Sequence, residues 1–194
     1  MRPTKVNFNK RIVGLIFFII ILSATTFSFA QNKTVVIPLF ESESTATEVS
    51  FCVKRDAEYD WPDTASNRTI DFSSNSTVWS NIGGGWNTVG NVFIAPASGV
   101  YTFNGAIHFR GIAAGDLIYA AIMAGGKFYH GTWKDSSGRK EIVHVSITVH
   151  LNTGDRADLM GYASTTSSSS LPASVYGNTN TSNAFTYFMG ARVF

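Results

Sequence analysis

Cysteine is almost absent. Cys52 is the only one among 194 residues, so no disulfide can join two parts of this chain, and an exported fold must hold itself together by packing or by oligomerisation. Within the alternating run Val49-Ser50-Phe51-Cys52-Val53 the thiol reads as a small packed hydrophobe rather than a nucleophile; a bridge between chains is the alternative. Clustered basic residues are also lacking. Four of the 15 Lys and Arg lie in the first thirty residues, where no acid occurs, which leaves 11 basic against 13 acidic residues and a formal charge of −2 for residues 31–194. Nothing there offers an electrostatic footprint for nucleic acid. Gly-x-y triplets are missing from residues 31–48, so no collagen stalk is encoded.

Catalytic motifs are missing too. There is no His-Glu-x-x-His, no paired cysteines and no glycine loop followed by Lys-Ser/Thr, and Gly83-Gly84-Gly85 reads as a turn. His144 and His150 share a strand face but stand about 20 Å apart at ~3.3 Å per residue, too far to ligate one metal. Neither histidine, nor His108, has a base-and-nucleophile partner in the pattern; the three are expected to point outward or into a subunit contact. No catalytic residue is assigned, and an enzyme is not expected.

What is present begins with a signal. Arg2, Lys5, Lys10 and Arg11 lead into the apolar run of residues 12–22 and then Ser28-Phe29-Ala30, the grammar of a secretory signal peptide cleaved after Ala30. An uncleaved anchor is the alternative. Residues 31–48 read as a leader or linker and residues 49–194 as one globular domain, secreted and without a membrane segment once the signal is removed.

From Val49 onward the dominant period is two. Val143, Val145, Ile147, Val149 and Leu151 alternate with His144, Ser146, Thr148 and His150, a pattern a helix would scatter around its circumference. Tyr101, Phe103, Ile107 and Phe109 share one face in the same way. Residues 117–124 and 127–133 flank Gly125-Gly126, which suits a primed hairpin turn with positive φ at both positions. Further strands are predicted at 91–94, 156–162 and 184–194, with loops at 56–67, 81–86 and 165–183. Eight to ten strands and no helix point to an all-β sandwich.

The stretch Val89-Gly90-Asn91-Val92-Phe93-Ile94-Ala95-Pro96-Ala97-Ser98-Gly99-Val100-Tyr101-Thr102-Phe103 resembles the signature of the C1q globular head domain. Val49-Ser50-Phe51, Asn81-Ile82-Gly83-Gly84-Gly85-Trp86, Ala124-Gly125-Gly126-Lys127, Leu151-Asn152-Thr153-Gly154-Asp155 and Phe188-Met189-Gly190 resemble further family segments in the same order. Gly90 stands one residue further from Phe93 than usual, and the hairpin has Gly125 where the family has Asn.

The resemblance implies a jelly-roll β-sandwich of about ten antiparallel strands, C1q and tumour-necrosis-factor-like, packed as a homotrimer around a threefold axis. Tyr101, Phe103, Phe188 and Phe194 are candidates for either its internal core or its trimer interface. Some members of the family bind calcium. Asp155 with Asp158, or Asp56, Glu58, Asp60 and Asp63, could supply oxygens, though a solvated loop is the simpler reading and no other cofactor is expected. End loops carry recognition in such folds; with 56–67, 133–139 and 164–170 read as those loops, Trp61, Trp133, Asp135, Ser167 and Ser168 are the candidate ligand contacts. The two tryptophans are either anchors or are tucked under their loops. The function expected is non-catalytic binding of a protein or glycan; the alternative is a structural or adhesive surface protein in which trimerisation is itself the function.

Overall fold

The period-two runs of the sequence become strands. The computed structural model describes residues 48–61, 66–138, 140–164, 173–179 and 185–194. The predicted signal segment with Ala30, residues 31–47, Asp63, Ser167 and Ser168 lie outside the described residues. Thirteen strands form among those described: β1 Ser50–Arg55, β2 Tyr59–Asp60, β3 Arg68–Thr69, β4 Ser76–Ile82, β5 Trp86–Asn87, β6 Val92–Ile94, β7 Gly99–Arg110, β8 Leu117–Ala124, β9 Lys127–Asp135, β10 Glu141–Leu151, β11 Arg156–Ala163, β12 Ser174–Val175 and β13 Tyr187–Arg192. Four of these, β2, β3, β5 and β12, are only two residues long, which is why the count exceeds the ten expected.

All pairings are antiparallel, in two sheets. In the seven-stranded first sheet, β7 is central. β10 pairs along its whole length on one side, from Glu141 opposite Phe109 to Leu151 opposite Gly99. The other side is divided between β13, along Tyr101 to Ala106, and β12, at Phe109 and Arg110. β1 follows β13, β4 follows β1, and β2 follows β12. The second sheet runs β5-β6-β11-β8-β9, with β3 paired to β11 beside β6.

Between the sheets the inward faces make one aromatic-rich core. The Phe51 ring lies 4.9 Å from Phe93, 5.0 Å from Phe188 and 5.2 Å from Trp86. Each such side chain contributes about 1.5–3 kcal/mol by leaving water. Tyr101, Phe103 and Phe188 are fully buried within this cluster, which settles them as internal core; Phe194, 77% exposed, is not part of it. Room for these rings depends on missing side chains. A Cβ at Gly190 would stand 2.4 Å from Phe103 Cδ1, inside contact distance.

The Gly125-Gly126 hairpin forms as predicted, with φ of 56° and 75°. One alternative left open by the sequence is decided and two placements differ from its reading. Trp61 is 2% exposed, set edge-on to Phe109 at 5.3 Å, because its backbone N–H donates to Ala173 O at 2.7 Å and draws the chain onto the sheet; it is no surface anchor. Trp133 and Asp135 stand on β9 rather than in a loop, since pairing with β8 continues to Leu117 opposite Asp135. His108 is buried at 5% exposure instead of facing water, because Tyr176 and Phe185 close over it.

Candidate functional site

The outward face of the second sheet carries an ordered set of aromatic side chains. On β8, Ile118, Ala120, Ile122 and Ala124 enter the core, so Tyr119, Ala121 and Met123 face away from it. Register aligns these with β11 and β9 in three cross-strand rows. Tyr162, Tyr119 and Trp133 form the first, Met160, Ala121 and His130 the second, and Asp158, Met123 and Phe128 the third.

The first row is a stack. Tyr162 and Tyr119 lie 4.9 Å apart at 7°, and Tyr119 and Trp133 4.4 Å apart at 28°. His130 joins it, 5.0 Å from Trp133, and continues to Phe128 at 4.7 Å. Offset ring pairs of this kind add about 0.5–1.5 kcal/mol each beyond burial. Tyr119 is buried by its neighbours, and its hydroxyl donates to Asn67 Oδ1. Trp133, by contrast, is 50% exposed on the last strand of the sheet, and His130 is exposed beside it. A half-open indole backed by a rigid stack loses little entropy when a partner binds, which suits a binding anchor.

Asp158 closes the third row. Burial pushes its carboxyl up to about 6, with Arg156 pulling the other way. It shares a cavity of about 360 Å³ with Asp155, Arg156, Gly125, Gly126 and Gly154. The structure thus brings the two predicted calcium candidates to one cavity. Asp155 Oδ2 is already engaged, accepting from the Asn152 amide at 2.8 Å to close the turn before β11. Two carboxylates beside an arginine fall well short of the six to eight oxygens calcium takes, and no group of three or more His, Cys, Asp or Glu able to hold a metal occurs among the described residues. Of the other acidic candidates, Asp56 pairs with Lys54 at 2.6 Å, and Glu58 with Arg110 at 3.2 Å.

On the opposite side of the sandwich, the outward face of the first sheet is small and polar at its centre, with Thr102, Asn104, Ser146 and Thr148, and apolar toward β13 and β4, with exposed Met189, Trp79 and Ile82. Cys52 is half-buried opposite Met189, and burial pushes its thiol up, away from a reactive thiolate. No helix of the described residues is long and apolar enough to cross a membrane.

No protein-family model and no curated protein matches the sequence. Solved structures match the fold. The globular domain of zebrafish complement 1qA superposes with a TM-score of 0.54 at 14% identity, covering 76% of this chain and 98% of that one. Murine APRIL at pH 5.0 gives 0.51 at 10% identity over 75% and 99%, and Eiger TNF from S. frugiperda gives 0.52 at 8% over 76% and 94%. The class is therefore a C1q and TNF-like jelly roll, as the signature around Val100-Tyr101-Thr102-Phe103 predicts.

Proposed function

We propose that this chain is an exported, homotrimeric and non-catalytic recognition module, and that it meets a protein or glycan ligand on the outward face of its second sheet, at Trp133. The observation that carries the reading is the Tyr162, Tyr119 and Trp133 stack, an ordered aromatic surface left half open to solvent. Contiguous exposed apolar surface marks interaction sites on soluble proteins. Self-association is supported by the resemblance and by a second set of exposed apolar residues, Trp79, Ile82 and Met189, on the other sheet. The two surfaces lie on opposite faces of the sandwich, so a trimer built on the first sheet leaves Trp133 free.

An array of purified glycans and extracellular proteins, probed with the wild-type chain and with Trp133→Ala, tests the assignment. Binding that falls at least tenfold in Trp133→Ala, with Trp79→Ala retaining it, is the expected result. Equal binding by wild type and Trp133→Ala would move the site elsewhere.

A further inference from the structure

His108 lies on the outward face of β7, beside half-exposed Arg110, yet it is 5% exposed. The rings of Tyr176 and Phe185 each lie 5.2 Å from the imidazole and 5.3 Å from one another, boxing it in. Both ring nitrogens are buried without a hydrogen-bond partner. A neutral imidazole has one donor and one acceptor, so the closed box leaves both unmet, at a cost that other bonds must offset.

Those other bonds are to the backbone. The Tyr176 amide donates to His108 O at 2.8 Å, the His108 amide donates to Thr186 Oγ1 at 3.1 Å, and Thr186 Oγ1 donates to Tyr176 O at 2.8 Å. The Arg110 guanidinium lies 3.1 Å over the Tyr176 ring and pairs with Glu58. These contacts close the box while the imidazole is neutral, and a proton on the imidazole works against them.

A protonated ring would present two donors and a charge to an apolar box. The charged and titratable groups around it offer little relief. Arg110 on its own strand and Lys140 ahead of β10 repel a cation, while His144 on β10 and Tyr187 on β13 share the same outward face and Asp60 stands two strands away on it, opposite Ser174. Glu58, the carboxylate whose field favours a cation here, is engaged by Arg110 and by Ser174 Oγ. Burial first, then Arg110 and Lys140, accordingly push the imidazole down to about 4, against the pull of Glu58.

We propose that the box formed by Tyr176 and Phe185 over His108 is an acid-released latch, which opens when His108 takes up a proton and uncovers the outward face of β7 next to β12. The closed form keeps His108 neutral and the open form gives it an ordinary value near 6.5. The open-to-closed ratio is then constant above about pH 6.5, grows about tenfold per pH unit below it, and levels off near pH 4, about 300-fold in all.

Hydrogen exchange of the full chain, followed at the His108 and Tyr176 amides from pH 7.5 to 4 and corrected for intrinsic rates, reads the opening directly. Loss of protection that steepens below pH 6.5 in wild type, and is absent in His108→Leu, supports the latch. Protection that is unchanged down to pH 4, or lost equally in His108→Leu, overturns it. Titration of the imidazole by NMR needs no variant: a midpoint below about 5 supports the latch, and one near 6.5 with the two amides still protected overturns it.

Discussion

Two carboxylates make opposite contributions to stability as pH changes. Glu141 is nearly buried at the start of β10, where it accepts from Lys134 and from the Ser137 amide and hydroxyl. The Lys134 hydrogen bond above all, and those of Ser137, outweigh burial and hold its carboxyl down at about 2. Its folded value lies below the unfolded one, so the stabilisation is fully present above about pH 4.5 and is lost as pH falls toward 2. Glu141→Gln is expected to cost about 1–3 kcal/mol at pH 7 and almost nothing near pH 2, measured by urea unfolding at each pH. Asp158 works the other way. Its raised value means that ionisation above about pH 4 strains the fold, so Asp158→Asn is expected to stabilise by about 1–2 kcal/mol at pH 7.5, with the gain gone by pH 4. A loss at pH 7.5 would show that the carboxylate holds a partner there.

Single residues were also where the sequence was least legible. Trp133 stands out in it as an aromatic among polar neighbours, but Tyr119 and Tyr162 do not. Their stack depends on which residues of three strands come opposite one another, and no local pattern sets that register. Trp61 was left open between anchor and buried, and His108 was misplaced, for a related reason: each is covered by distant segments, Ala173 in one case and Tyr176 with Phe185 in the other.

At the scale of elements the reading was much better, because alternation and turn chemistry are local. β10 alternates in burial from Val143 to Leu151 as its letters do. β8 is the informative exception. It is apolar at nearly every position and buried on both faces at Tyr119, Ala120 and Ala121, an early sign that its outward side is covered by something, here the aromatic stack. β4 went unpredicted since residues 76–82 mix polar and apolar letters without alternation, and a register shift opposite Cys52 and Val53 breaks the period. The hairpin turn supplies a test of its own. Gly126 has φ of 75° and open space where a Cβ would go, so Gly126→Val is strained by conformation alone and is expected to destabilise by about 1–2 kcal/mol in thermal or urea unfolding. An unchanged midpoint would mean that the turn can adopt another type.

For the whole molecule, the fold itself shows through Pro96 and Gly99 between two strands, the Gly154 turn and the closing Phe188-Met189-Gly190, all of them structural positions. Such residues fix a jelly roll and say nothing of a ligand, which is why the fold was readable and the proposed binding surface rests on geometry alone. The same geometry separates two roles that the sequence could not separate. Tyr101, Phe103 and Phe188 are buried between the sheets, whereas Trp79, Ile82 and Met189 are exposed on the outward face of the first. The decisive measurement is the mass in solution of residues 31–194 by light scattering, with and without a calcium chelator. A mass three times that of one chain, unaffected by chelation, is the outcome a trimeric recognition module requires; a stable monomer would contradict it.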